Sequence, residues 1–477
     1  MIKSCIPQLQ TDNIKLNKAF RIAIGDLLGN IKELKSGILN SYKPCIMAGL
    51  DYNRPWTRDT AINIWNGCSL IIPEISYNTL ISVIENRDNN NFIGGQYWDA
   101  IIWTTGAWWH YLYTGNKDFL KLSFEVTKNS ISYFEKTEFD ENINLFRGPA
   151  CYGDGVSAYP DEYANAGGNS GILDWVKFNI NKKAKIGYGL PMFTLSTNCL
   201  YYNMYKLLIN MQKELHYQTD ILYKQKALKL KNSINKNFWN DKTQKYKYII
   251  GPLGESDFFE GIGNSFVILF DIANENQAEM VIKNQYISPN GIPCIWPLYS
   301  RYQLNEESFG RHNGTVWPPI QGFWSSALLK YKQYEAFNKE CTSLTNNINR
   351  DVQCAEIYHP NTGKMYGGIQ ERSGKGIKEW QSRNRQTWSA TAYLRIVLFG
   401  LCGLRFNEKK ICFQPYIPRN VNSFIIKNLN YRNMKLNISI INNGTDIKKF
   451  KINNKIIDNY FLSASENGEK NIEIFME

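Results

Sequence analysis

Apolar residues recur at helical spacing from the start of the chain to about Gly403. Over 14–36, Leu16, Phe20, Ile24, Leu27, Leu28, Ile31 and Leu34 share one face and predict a helix. Further helices are expected over 57–72, ended by Pro73, then to about 84, over 97–113 and over 119–134. A long stretch rich in Gly, Pro, Asn and Tyr spans 137–190. Helices resume at 191–212 and 220–237, followed by a small hairpin over 238–250. The remaining helices fall near 258–272, 276–284, 316–331, 333–349 and 386–402. That makes roughly twelve, separated by alternating short turns and long aromatic loops.

Helices paired in chain order, with long loops on one side, predict an all-α (α/α)6 toroid. Six inner and six outer helices would close a ring, so that no hairpin leaves its apolar face bare. The inner helix starts then crowd around one funnel. After Gly403 the period shortens to two. Alternations at 410–413, 423–426, 434–441, 448–452 and 471–475, split by Asn/Gly/Asp turns such as Asn442-Asn443-Gly444, predict a small C-terminal β-sandwich domain. The expected division is 1–403 for the helical unit and 404–477 for the β unit.

Charge and composition narrow the function. The chain has 477 residues and a net charge of +12, but its lysines are scattered. Without a dense basic stripe, nucleic acid is not the expected partner. No apolar run approaches the roughly 18 residues of a spanning helix, and residues 1–10 lack a signal-peptide core, so no membrane role and a cytoplasmic location are expected. The 10 cysteines show no CxxC and no zinc spacing, which fits free buried thiols. No phosphate loop, GxSxG or HExxH occurs, and neither a metal nor a cofactor is expected. Aromatic residues make up 14% of the chain, many of them in loops beside Gly, Pro, Asp and Asn. Flat rings beside polar groups suit sugars, which have apolar faces and polar edges.

One acidic loop stands out, running from Arg147 through Tyr152 and Asp154 to Glu162. Glycines flank Asp154 on both sides and permit a sharp bend and close approach of a ligand. Four more segments place candidate chemistry in loops. Trp56, Arg58 and Asp59 open one helix, where Thr57 also suits an N-cap and Asp59 the first turn. Tyr97, Trp98 and Asp99 open an aromatic helix. His312, Asn313 and Trp317 stand at the mouth of another, with Pro318 in its first turn. Glu356 lies between apolar residues ahead of a Pro-Asn-Thr-Gly turn. Two carboxylates on opposite sides of one cavity are what glycoside hydrolysis needs, and a closed ring lets Asp154 and Glu356 converge. A separation of about 6.5–9.5 Å would imply inversion, with room for water between them.

At these residues the chain resembles the six-hairpin glycosidases, the group that holds trehalases, processing α-glucosidases, debranching-like and α-L-rhamnosidase-like enzymes and related phosphorylases. The matching segments are Arg-Pro-Trp-Thr-Arg-Asp-Thr at 54–60, Leu-Ser-Thr-Asn at 195–198, His-Asn-Gly-Thr-Val-Trp-Pro at 312–318, and the stretch from Thr387 to Leu401. The resemblance implies Asp154 as general acid and Glu356 as general base. It implies Arg58, Asp59, Tyr97, Trp98, Arg147, His312, Asn313, Trp317 and Trp388 as pocket residues. Trp56, Asp99, Tyr152 and Glu162 join them from the loops above. Within the acid loop, Asp161 and Glu162 compete with Asp154, and Glu371 and Glu379 compete with Glu356. The expected activity is inverting hydrolysis of an α-linked oligosaccharide. An inverting phosphorylase, with Arg311 and His312 on the phosphate, a polysaccharide lyase and a glycan-binding protein without catalysis remain as alternatives.

Overall fold

The computed structural model describes residues 6–96, 98–153, 155–161, 192–252, 254–371 and 376–477. Among the described residues, six helices form an outer set: α1 (Ile14–Gly29), α3 (Pro73–Ile81), α5 (Lys117–Thr137), α7 (Ile221–Phe238), α9 (Glu275–Asn284) and α11 (Tyr334–Asp351). Alternating with them in the chain are α2 (Thr57–Asn63), α4 (Trp103–Thr114), α6 (Leu195–Glu214), α8 (Gly261–Leu269), α10 (Pro318–Lys330) and α12 (Thr387–Arg395). Helix α2 continues through a π-helical turn, Ile64–Cys68, and α12 through another, Ile396–Leu401.

The even-numbered helices contact one another in a closed cycle: α2 on α4, α4 on α6, α6 on α8, α8 on α10, α10 on α12, and α12 back on α2. Each odd-numbered helix backs this cycle, with α5 against α4 and α6, and α11 against α10 and α1. The inner helices are buried nearly all round. In α8 every residue from Gly261 to Ile268 is buried. Close approach sets part of the sequence. A side chain on Gly106 of α4 would place its first carbon 2.6 Å from the Ala61 Cα of α2. Only a residue without Cβ lets these two helices touch.

Capping divides the two sets. Four outer helices, α1, α5, α7 and α9, start with an Asn or Asp whose side chain accepts from the first turn. None of the six inner helices has a side-chain cap at its own start. Thr57, expected to cap α2, is instead its first residue, and its hydroxyl donates to the Gly94 carbonyl at 2.7 Å. The inner starts therefore direct backbone N–H groups and positive dipole ends toward the loops above them.

Several expected helices are shorter than their periodicity. The first ends at Gly29, and Ile31–Leu34 pairs as a strand with Lys43–Ile46. The spacing of Ile31 and Leu34 fits either structure, and the partner strand decides. The helix expected from 97 starts at Trp103 after a 3-10 turn, Ala100–Ile102. Residues Phe259–Glu260 form a short strand before α8. The hairpin expected over 238–250 is present, with Trp239–Asn240 paired to Lys245–Tyr246.

The C-terminal region forms two sheets. The larger has β1 (Gln8–Thr11), β4 (Ser423–Tyr431), β5 (Met434–Ile441), β6 (Ile447–Ile452), β7 (Lys455–Ile456) and β9 (Gly468–Met476), in the order β1-β4-β5-β9-β6-β7. The smaller has β2 (Leu404–Phe406), β3 (Lys410–Phe413) and β8 (Phe461–Ser463). Strand β1 comes from the N-terminus, so residues 8–11 belong with the β unit although the expected helical unit began at residue 1. Its four residues are too short to show a period of their own.

Glu260 joins two uncapped starts. It precedes α8, yet its Oε2 accepts from the backbone N–H of Ser196 in the first turn of α6, at 3.0 Å. Burial pushes this carboxyl up to about 8 from its ordinary 4.5, outweighing the Ser196 hydrogen bond, which pulls it down. The folded protein thus keeps a proton that the unfolded chain releases. The resulting stabilisation is fully present below 4.5 and is lost as pH rises through about 8. Glu260→Gln keeps an oxygen for Ser196 but cannot ionise. Denaturant melts of the variant are expected to lose a pH-dependent component on the order of a few kcal/mol across this window. Parallel pH profiles for variant and wild type would contradict it.

Candidate active site

Loops that lead into inner helices meet at one cavity of about 270 Å³. Trp56, Arg58 and Asp59 reach it from the start of α2, and Asp99 from the turn before α4. His312 and Trp317 reach it from the loop before α10, and Trp388 from the first turn of α12. Glu356 enters on the extended segment between α11 and α12. All but Glu356 sit at an uncapped inner helix start or just before it. The cavity lies at the N-terminal end of the helix cycle, where backbone dipoles favour negatively polarised oxygens.

Two ion pairs face this space, one buried and one half-buried. Arg58 Nη1 lies 3.2 Å from Asp99 Oδ2 and donates to the Cys151 carbonyl at 3.0 Å. Its guanidinium also lies over the rings of Tyr152 and Trp388, at 5.4 and 5.5 Å. Arg311 Nη2 donates to Glu356 Oε2 at 2.9 Å, and the Arg383 backbone N–H donates to the same oxygen at 3.1 Å. Glu356 is 2% exposed, so its position depends on these two donors. Arg311 is fixed in turn. It donates to the Gly367 carbonyl at 3.0 Å and packs over Trp317 and Trp380 at 5.3 and 5.7 Å. Burial, then the nearby Glu356 and Asp59, raises the Tyr52 phenol well above its ordinary range. Tyr52 therefore faces the cavity as a neutral hydroxyl at any working pH.

The acid loop is pressed against the loop before α10. Ser157 accepts from the His312 backbone N–H at 3.1 Å and donates to Gln370 Oε1 at 3.0 Å. Gly155 lines the cavity. A Cβ there would stand 2.1 Å from Gln370 Oε1 and 2.9 Å from His312 Nδ1. His312 itself stacks on Trp317, with ring centres 4.8 Å apart.

Other expected site residues lie elsewhere. Asp154, Tyr97 and Glu162 fall outside the described residues. Arg147 pairs with Asp140 at 3.3 Å and donates to the Thr137 carbonyl, and is not brought to the cavity. Trp98 is fully buried in a small cluster with Ala150, Tyr159 and Tyr248. Asn313 turns inward, and its side-chain oxygen accepts from the Tyr299 N–H at 3.0 Å. Tyr152 forms a wall behind the cavity, edge-on to Trp317 at 4.9 Å. Of the competing carboxylates, Asp161 and Glu371 both pair with Arg301, at 2.6 and 3.3 Å. Glu379 is exposed on a hairpin. None of these three lines the cavity.

Tyr52, Gln96, Gln370, Trp380 and Gln386 also line it, and none of them is among the residues expected from the sequence. Tyr52 and Gln96 carried a usable signal, since both lie beside Trp56 and Asp99 in loops already singled out. Gln370 and Trp380 carried none, because a hairpin between α11 and α12 brings them in. Among the described residues, no group of three His, Cys, Asp or Glu could hold a metal ion. No described helix is long and apolar enough to cross a membrane.

Solved structures share this architecture at low identity. A structure titled "Sialidase" has a TM-score of 0.65 and 16% identity over 98% of this chain, which spans 40% of that longer protein. The GH63 mannosylglycerate hydrolase from Thermus thermophilus, in complex with Tris and D-glycerate, gives 0.53 and 11% over 80% of this chain and 100% of its own. A GH78 family rhamnosidase from Bacillus sp. GL1 gives 0.51 and 10% over 92% of this chain and 42% of its own. At these identities the likeness establishes the fold alone. No curated protein sequence matches the chain. The family described as "Mannosylglycerate hydrolase MGH1-like glycoside hydrolase domain" matches residues 102–389, well over half of the length, and the chain belongs to that glycosidase family.

Proposed function

We propose that this chain is an inverting glycosidase built on an (α/α)6 toroid, hydrolysing a small α-linked glycoside, with Asp154 as general acid and Glu356 as general base. The observation that carries the reading is Glu356 itself. It is a buried carboxylate on the cavity wall, held by a fixed arginine and a backbone N–H. A base in an inverting reaction must hold one water in line with the sugar carbon, and this needs a carboxylate that does not move. Asp154 stands next in sequence to Gly155, which lines the same cavity.

In this scheme Asp154 protonates the glycosidic oxygen as the bond to the anomeric carbon breaks. Glu356 takes a proton from the water that attacks the opposite face. Trp56 and Trp388 offer flat faces to the sugar ring, and the Arg58–Asp99 pair offers a donor and an acceptor to adjacent hydroxyls. At about 270 Å³ the cavity is near the low end of ligand sites, typically ~300–1,000 Å³, and suits one sugar on a compact aglycone. An α-glucosyl or α-mannosyl unit on a short polyol or a hydroxy acid such as glycerate is the substrate class we assign. Because Arg311 is committed to Glu356, water rather than phosphate is the acceptor favoured by the geometry.

The test is release of sugar from α-glucosides and α-mannosides, mannosylglycerate among them, with and without phosphate. Asp154→Asn and Glu356→Gln are each expected to lower kcat by roughly 10²–10⁴-fold, with phosphate making no difference to wild type. Turnover that requires phosphate, or a Glu356→Gln enzyme close to wild type, would refute the assignment.

A second outcome concerns Gly155. In Gly155→Ala the new methyl group must displace Gln370 or the acid loop. Since small misplacements of reacting groups are costly, kcat/KM is expected to fall about tenfold or more while Tm changes little. Unchanged kinetics would show that the contact of this loop with Gln370 and His312 does not matter for turnover.

A further inference from the structure

A second cavity, of about 850 Å³, lies at the other end of the helix cycle, against the β unit. Every inner helix contributes from its C-terminal part or just beyond it: Trp65 after α2, Trp109 from α4, Lys206 from α6, Phe270 after α8, Lys330 from α10 and Arg395 from α12. The β unit adds Arg405 from β2, and Asp446 stands beside β6. With Lys332, five cations line this space against the single carboxylate of Asp446 among the described residues.

Part of this charge has a structural reason. Lys206 donates to the Phe270 carbonyl at 3.1 Å, Lys330 to Ile268 at 2.7 Å, and Arg405 to the carbonyls of Phe399 and Leu404. Cations at helix C-terminal ends are stabilising. Lys206 and Lys330 also share Asp271, at 3.7 and 2.5 Å. Arg395 is different. It is 5% exposed, and its hydrogen bonds go to neutral side chains, Ser326 at 2.8 Å and Asn66 at 3.3 Å. Among the described residues, neither Arg395 nor Arg405 has a carboxylate within 4.0 Å. Burial pushes Arg395 down to about 9 and Arg405 down to about 10. A buried guanidinium, Arg395, and a half-buried one, Arg405, without a paired carboxylate are expensive to keep, and an anion between them lowers that cost.

We propose that this cavity is a second ligand site, for a phosphate monoester carried on a ring-shaped body such as a sugar. The phosphate lies toward Arg395 and Arg405, and the body lies against the aromatic wall that includes Trp65, Trp109 and Phe270. The excess of cations suits a dianion better than a single carboxylate. The volume falls within the ~300–1,000 Å³ typical of ligand sites and is far larger than inorganic phosphate requires. This assignment is independent of the reaction proposed for the first cavity.

The experiment is calorimetric titration of the full chain with glucose 6-phosphate, inorganic phosphate and glucose as probes. Glucose 6-phosphate is expected to bind saturably and more tightly than the other two, and less tightly as salt is raised. Arg395→Gln is expected to weaken it about tenfold or more, and Lys332→Glu about threefold. Lys332 is exposed, so its variant tests the site even if Arg395→Gln does not fold. Trp388→Ala, in the first cavity, is expected to leave this binding unchanged. No saturable binding to wild type would overturn the proposal, as would equal binding of inorganic phosphate. So would binding lost in Trp388→Ala but kept in Lys332→Glu.

Discussion

A hydrogen bond from Thr391 Oγ1 to Asn63 Oδ1, 2.9 Å long and buried, ties the last inner helix to the first across 328 positions of sequence. The contact of α12 with α2 that it belongs to closes the helix cycle. Without closure Arg58 and Trp388 would not face each other, and the two walls of the cavity would lie at opposite ends of an open stack. Asn30 reinforces the seam by donating to the Thr387 hydroxyl at 2.8 Å and to the Arg385 carbonyl at 2.7 Å. The long-range contacts that close the cycle thus give the site loops rigid helix starts to be built on.

The closed cycle also separates two electrostatic environments. At the N-terminal end, uncapped helix starts surround carboxylates paired to arginines. At the C-terminal end, helix carbonyls draw in lysines and arginines, and the β unit covers the opening. At three inner starts the cap position is itself a cavity wall residue, Trp56, Trp317 or Gln386, and a Ser or Asp there would satisfy the backbone but remove that wall. Local helix stability is given up where the fold needs a wall, and the outer helices keep their caps.

Much of this was legible in the chain, because helical periodicity marks the helices and several inner starts share an aromatic-acidic composition. Trp56, Arg58, Asp59, Asp99, His312 and Trp317 could be picked out on that basis, Glu356 as a carboxylate ahead of a turn and Trp388 through the family resemblance, and all line one cavity. The same composition also marked Arg147, Trp98 and Asn313. Loop chemistry does not say whether a side chain points into the funnel or back into the protein, and these three point elsewhere. Gln370 and Trp380 were illegible because their hairpin carries no aromatic-acidic signature. Strand β1 was illegible because its partner lies more than four hundred residues away. The cations of the second cavity read in sequence as scattered surface lysines and arginines. Only closure of the cycle gathers them.

The central claim is that a water held by Glu356 attacks one face of the sugar while Asp154 protonates the leaving group on the other. Proton NMR of the first product formed from an α-linked substrate tests it most directly, before mutarotation mixes the anomers. The account predicts that the β anomer appears first. Initial release of the α anomer would mean retention through a covalent intermediate, and would contradict the role given to Glu356.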